Sequence, residues 1–522
     1  MSWEAEVREL QRRRELSLLM GGEERVERQR QAGKLNVRER IDALVDPGTF
    51  DELGQLTGYS EYDGDELSSY MPYPLVTGLA RIDGRRVVVW GNDFTVRGGS
   101  GRAGASGSTK GKTGFLEEIA SEYNLPVFQL LDGAGANVEA INWGGFTYLP
   151  NGAAQFIRLA HLLNEVPVMT ALLGSVAGGV AGQAMLSHFT VMPKDTAVLF
   201  AAGPPVVRRA LGEEITKEEL GGSQVHVHES GAVHNEAQDE ADAMRQLRTV
   251  FSYLPDRASQ VPPVRSSDDP VGRAEEELLS IVPRSRTRPY SMHRLIELVV
   301  DEGEYFEIQP DFGRCVITSL ARINGMPMGI VANNPRQIGG ALDRDGAQKV
   351  EHFLEFCDLF LLPVVFFVDV PGFMVGSRAE AAGTIKQGMR ALWVANNLRV
   401  PSMCVHIRKC YGMAGNMTGN PRRSNYRIAW PSGEWGSIPI EGGVDAAFRR
   451  EIANAEDPVA KRAEIEARFR AIASPFRTAE AFGVEDIIDP RHTRRYVADF
   501  LDLAYRALSA MAGQPRGMGV RP

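Results

Sequence analysis

The stretch ALLGSVAGGVAGQAML, residues 171–186, sets Gly178 and Gly179 side by side between an apolar run and a segment of small residues. Two readings fit such a pair. Glycine tolerates backbone angles that other residues avoid, so the pair can be a tight strand-to-helix turn. It can also be a place where bare backbone N–H groups approach a developing negative charge. A second stretch, CYGMAGN, puts Gly412, Met413 and Ala414 in the corresponding position. Two such turns suit a reaction in which two carbonyl oxygens gather negative charge, each held by preorganised N–H donors.

Other residues with chemistry to offer carry weaker signals. SGSTKGKT, residues 106–113, nearly spells a phosphate-binding loop, but Ser106 stands where that motif needs glycine, and no strand leads into it. His226, His228 and His234 raise the question of a metal, since alternate residues of a strand share a face. No cysteine or carboxylate completes a clear ligand set, so a structural role is expected and no metal. Asp132 and Asp369 each end a buried apolar run and are expected to brace loops. Nothing supplies a nucleophile: there is no Gly-x-Ser-x-Gly elbow and no Cys–His pairing.

The elements that must position these residues are written twice. VTGLARIDGRRVVVWGNDFTVRGGS, residues 76–100, matches ITSLARINGMPMGIVANNPRQIGGA, residues 317–341, without a gap. Gly98 and Gly99 then fall on Gly339 and Gly340, and each copy reads as a hairpin closed by Asp-Gly or Asn-Gly. NLPVFQLLDGAG matches LLPVVFFVDVPG, laying Asp132 on Asp369, and Lys112 falls on Lys349 in the preceding helices. A third block places Gly178 on Gly412. Each copy runs hairpin, helix, buried strand, loop, helix, strand, small-residue turn, helix, which predicts a layered α/β fold used in tandem. The expected divisions are a helical segment over 1–50, a first half over 51–258, a linker rich in Pro, Arg and Ser over 259–290, and a second half over 291–522.

Composition narrows the function. At 522 residues the chain is too long for one ordinary core. A net charge of −9 leaves no basic excess to neutralise phosphates, which argues against a nucleic-acid binder. No apolar run approaches the roughly 18 residues of a membrane span. The first 31 residues are charged throughout and carry no signal-peptide core. Four cysteines without CxxC spacing make neither a disulfide framework nor a zinc site, so a reduced, cytoplasmic protein is expected.

The blocks GKLNVRERIDALVDPGTFDEL, NDFTVRGGS, AGPPVVRRALGEEITKEELGGSQVH, YFEIQPDFGR, GIVANNP, DVPGFMVG and SPFRTAEAFGVEDIIDPRHTR together resemble the carboxyltransferase (β) subunits of biotin-dependent acyl-CoA carboxylases, the propionyl-CoA and methylcrotonyl-CoA carboxylase family, over residues 30–505. The resemblance implies two crotonase-like (ClpP/crotonase) α/β domains. The first binds a coenzyme A thioester and the second binds carboxybiotin, with the site formed between one subunit and its partner in a hexamer. Gly178 and Gly179 then sit where the family holds the thioester oxygen of the enolate. Gly412, Met413 and Ala414 sit where it holds the biotin ureido oxygen. Gly98, Gly99 and Lys112 fall on the coenzyme A side, and Asn416 on the biotin and acyl pocket. In that family biotin is itself the base, which accounts for the lack of a side-chain base.

Three departures stand out. The family's Asp-Ser-Gly-Gly-Ala loop is here DGAGAN, Asp132 to Asn137. Its YGGAY is here YGMAG, with Met413 in place of a glycine, and Asn416 stands where an acid is usual. The sequence has no Ala-Met-Lys-Met biotinylation motif and no ATP-grasp region, so a partner subunit with biotin carboxylase and biotin carboxyl carrier functions is expected. The expected activity is transfer of CO2 from carboxybiotin to the α or γ carbon of a short or branched acyl-CoA. A biotin-dependent decarboxylase subunit, or a non-catalytic paralogue that assembles with an active subunit, are the alternatives.

Overall fold

A computed structural model describes residues 2–99, 111–135, 153–424, 426–514 and 520–521. The chain divides into two principal units, 1–258 and 259–515. The first holds β1 (Asp51–Glu52), β2 (Gly58–Asp63), β3 (Glu66–Pro72), β4 (Leu75–Ile82), β5 (Arg85–Asn92), β6 (Val127–Gly133), β7 (Val168–Ala177), β8 (Phe189–Pro193), β9 (Val198–Phe200) and β10 (Asn235–Ala237). The second holds β11 (Tyr305–Ile308), β12 (Val316–Ile323), β13 (Met326–Asn333), β14 (Val364–Val370), β15 (Ser402–Tyr411), β16 (Tyr426–Ala429), β17 (Glu434–Gly436) and β18 (Asp486–Ile487).

The two sheets share one plan. The first is ordered β1-β4-β5-β6-β7-β8-β10 with β9 beside β7; the second is β11-β12-β13-β14-β15-β16-β18 with β17 beside β15. Each opens with antiparallel pairs and continues parallel. The hairpins are closed by the residues the sequence points to. Asp83 and Gly84 have φ of 51° and 75°, and Asn324 and Gly325 have φ of 52° and 71°. Positive φ at both central positions matches the twist of the flanking strands. Leu75 pairs with Asn92 in one hairpin and Val316 with Asn333 in the other, so the duplication holds residue by residue.

The inner strands β6 and β14, VFQLLDG and VVFFVDV, are buried at every position. That is why they read as mostly apolar runs without alternation: helices cover both faces of a parallel sheet. Their last turns are irregular at matching places, with a register shift between Leu131 and Gly133 in one and between Val368 and Val370 in the other. The residue spanned by each shift is an aspartate. Among the described residues no helix is long and apolar enough to cross a membrane.

The segment 259–290 is not a free spacer. The Arg265 N–H donates to the Gly325 carbonyl at 3.0 Å. Arg273 pairs with Asp269 at 2.7 Å and donates to the carbonyls of Leu298 and Val300. Arg494 donates to the carbonyls of Asp269 and Pro270. The segment belongs to the second unit, docked through arginine-to-carbonyl bonds that hydropathy does not register.

Candidate active site

In the first unit, Asp132 lies at the bulge of β6 and is fully buried. Its carboxylate faces Lys34 at 2.8 Å and Arg40 at 3.1 Å, and accepts from the backbone N–H of Ser175 on β7 at 3.1 Å. Arg40, on the helix Val37–Leu44, also grips Glu240 at 2.6 Å and donates to the Leu173 carbonyl. That helix is set by a capping box in which Asn36 and Glu39 satisfy each other's backbone N–H groups. The second unit repeats the device. Asp369 accepts from the Lys409 N–H at 3.1 Å and pairs with Arg408 at 3.0 Å. Both carboxylates are committed to cations and backbone, which is a brace and not a poised acid.

The brace fixes the strand that ends in the glycine turn. Five residues past Leu172, β7 closes at Ala177, and Gly178 follows with φ 60° and ψ −124°, a conformation that favours glycine. Its N–H donates to the Phe200 carbonyl at 3.3 Å, and Gly182 closes the first helical bond back to Gly178. The expectation for this pair therefore divides. Gly178 shapes the turn and spends its N–H on β9. Gly179 and Val180 head the helix Gly179–Met185, where the first N–H groups have no intrahelical acceptor. Both glycines are exposed, and a Cβ built at Gly179 meets nothing within 4 Å.

Gly98 and Gly99 hold their loop against the end of β6. A Cβ at Gly99 (φ 73°) would fall 2.1 Å from the Asp132 carbonyl, and Gly98 accepts from the Ala134 N–H at 3.0 Å. Gly340 (φ 81°) approaches the Asp369 carbonyl in the same way. Lys112 is engaged in the fold rather than free for a phosphate. Its ammonium donates to the Leu75 carbonyl at 2.8 Å, and burial lowers its pKa to about 8. Residues 100–110 and 136–152, with most of SGSTKGKT and the end of DGAGAN, lie outside the described residues.

In the second unit Gly412 (φ 61°) follows β15 and begins the turn Gly412–Gly415. Met413 is 48% exposed there, Ala414 is buried, and Asn416 faces a cavity together with Cys410 and Trp435.

The three histidines do not share a strand. Residues Gln224–Glu229 form a π-helical turn, which separates the rings. His226 Nε2 lies 2.7 Å from the Leu199 carbonyl, His228 reaches Glu236 at 3.4 Å, and His234 Nδ1 accepts from the Thr190 N–H at 3.1 Å. Each ring braces the end of the sheet.

Reading the sequence misses Lys34, Arg40 and Glu240, whose partners lie far along the chain. It also misses His406, which is buried on β15. Register between the two halves is the available signal, since His406 falls on Leu172.

A duplicated α/β sheet, each copy ending in a strand, a glycine turn and a short helix, defines the crotonase-like class. The family described as the carboxyl transferase domain matches residues 28–517, and the chain belongs to it. It is 37% identical over 96% of its length to the carboxyltransferase subunit of propionyl-CoA carboxylase from Haloferax mediterranei, covering 96% of that chain. It is 36% identical to the mitochondrial propionyl-CoA carboxylase beta chain of Homo sapiens, over 95% of this chain and 90% of that one. Among solved structures, transcarboxylase 12S, described as a hexamer with methylmalonyl-coenzyme A bound, superposes with a TM-score of 0.86 at 32% identity, covering 100% of this chain and 98% of that one.

Proposed function

We propose that this chain is the carboxyltransferase subunit of a biotin-dependent acyl-CoA carboxylase, moving CO2 from carboxybiotin to the carbon beside a coenzyme A thioester. The observation that carries this reading is the exposed turn at Gly178–Gly179, twinned at Gly412, in a chain of the carboxyl transferase family. Gly179 and Val180 present helix-initial N–H groups to the thioester oxygen, which gathers charge as the enolate forms. The bare face of Gly179 lets the thioester approach. Asp132 and Asp369 hold the two strand ends still through their ion pairs, which fixes the donors before reaction.

The second turn fits an acceptor-bearing neutral ring. The backbone reverses through Gly412 with no side chain on its approach, and the exposed thioether of Met413 offers an apolar wall. Gly412, Met413 and Ala414 would hold the ring of carboxybiotin, which would supply the CO2 and the base. Met413 and Ala414 head that turn and offer their N–H groups to the ureido oxygen. Biotin is carried by a partner subunit, and the chain assembles as a hexamer.

Carboxyl transfer is tested by following loss of CO2 from methylmalonyl-coenzyme A to free biotin with the purified chain. Biotin-dependent turnover is expected. Turnover indifferent to biotin would overturn the reading, and ATP-driven carboxylation by this chain alone would overturn the partner.

A further inference from the structure

The glycine turn of the first unit is soft by composition. Gly178 adjoins Gly179, the helix Gly179–Met185 has seven residues, and no side chain caps its start. Glycine leaves the backbone its greatest freedom, and a helix of that length is marginal on its own. Its inward residues Ala181 and Ala184 are small, so the apolar cluster they join sets the depth of the helix more than its orientation. The direction of the first N–H groups must be fixed from the flanks.

One strand supplies both flanking ties. Before the turn, Asp132 of β6 accepts from the Ser175 N–H at 3.1 Å. After it, Gln183 Nε2 donates at 2.6 Å to Oε1 of Gln129, also on β6. Both glutamines are buried. Gln129 Nε2 lies 3.5 Å from Ser187 Oγ, which is 2.6 Å from the Thr170 hydroxyl on β7. The chain from Ser175 to Gln183 is thus held to β6 at each end, with Gly178 and Gly179 midway. Gln183 stands one helical turn beyond Gly179, so its amide fixes how the helix is rotated where the initial donors are set.

The second unit keeps the first tie and drops the second. Asp369 accepts from the Lys409 N–H at 3.1 Å, as Asp132 does from Ser175. Register places Phe366 at the position of Gln129, since Trp90 pairs with Gln129 as Val331 pairs with Phe366. Counted from Gly178 and Gly412, Gln183 corresponds to Met417. Phe366 and Met417 are both buried. The same fold therefore accepts an apolar pair in this layer, and filling space does not require two amides. A buried amide bond adds little net stability, but it has a direction that apolar contact lacks.

We propose that Gln129 and Gln183 are positioning residues for carboxyl transfer. Their bond holds the helix Gly179–Met185 so that the Gly179 and Val180 N–H groups stay aimed at the thioester oxygen. Both act from the buried layer, through the turn. The assignment rests on the carboxyl-transfer reading.

The test joins two measurements on the purified full chain: kinetics of biotin-dependent CO2 loss from methylmalonyl-coenzyme A, and hydrogen–deuterium exchange over residues 175–187. Gln183→Met installs the residue of the second half. It should lower kcat about tenfold and move KM for the thioester by less than about twofold. Exchange over the turn and helix should quicken while the rest of the chain keeps its protection. Gln129→Glu retains the acceptor oxygen and should stay within about threefold of the parent kcat. A folded Gln183→Met protein with parental kcat would overturn the proposal, whatever its stability. Should that variant misfold, Gln129→Phe combined with Gln183→Met rebuilds the apolar pair of the second half and is read in the same way. A parent chain without biotin-dependent turnover would sink the carboxyl-transfer reading instead. Exchange then decides alone, and unchanged exchange in Gln183→Met would overturn the positioning as well.

Discussion

Lys112 and Lys349 make the same bond in the two halves: each ammonium donates at 2.8 Å to the first carbonyl of its hairpin, Leu75 for one and Val316 for the other. Burial lowers both to about 8. The unfolded chain, with lysines near their ordinary value of about 10.4, binds more protons than the folded one between these limits. Stability therefore rises with pH from about 8 to about 10, and the full cost of the buried charge applies below 8. The effect is on the order of 3 kcal/mol per lysine. Urea unfolding midpoints of Lys349→Met, compared with the parent at pH 7.5 and 9.5, should show a smaller rise. Equal slopes would refute the shift.

Asp132 acts as a brace. Removing it leaves Lys34 without its partner and Arg40 with Glu240 alone, inside a fully buried site. Breaking a buried pair on one side costs about 3–5 kcal/mol. Asp132→Ala should lose stability on that scale in urea titrations. A variant of undiminished stability with lost turnover would make Asp132 a catalytic acid instead.

The glycines separate into two behaviours. Gly99→Ala puts a methyl group against the Asp132 carbonyl at 2.1 Å and at positive φ, so the expected outcome is a destabilised first unit. Gly179 has open space around its missing side chain, so Gly179→Val should fold and assemble. There the loss is kinetic, about 100- to 1,000-fold in turnover for one displaced oxyanion donor. Biotin affinity should hardly change. Near-normal carboxyl transfer by a well-folded Gly179→Val protein would sink the oxyanion role.

His406 gives the acid side of the stability profile. Its folded pKa of about 4 lies below the ordinary histidine value of about 6.5, so the unfolded state takes up its proton first as pH falls. Stability is lost between about pH 6.5 and pH 4, on the order of 3 kcal/mol in all. His406→Gln should flatten that decline in thermal unfolding scans. An unaltered decline would show that the ring is not held neutral.

Local signals carried most of the fold. Asp83–Gly84 and Asn324–Gly325 announce their hairpins because the turn geometry is decided by two adjacent residues. VVFFVDV announces an inner strand because both its faces are covered. The aspartates were legible as strand-end braces, but their partners were not. Arg40 meets Asp132 and Glu240 across 92 and 200 positions, and nothing in GKLNVRERIDAL marks that guanidinium as buried. The histidines misled because alternation mimics a strand where the chain makes a π-helical turn. His406 stands out only when the halves are laid in register, where it falls on Leu172.

The sheets also taper. Their outermost strands, β1 and β10 in one unit and β11 and β18 in the other, are two to four residues long. A long bare edge is a template for another chain's backbone, and very short edges remove it. Long parallel sheets form late in folding and expose such edges while they wait. Tapered margins leave little bare backbone for the strand of another chain to pair with.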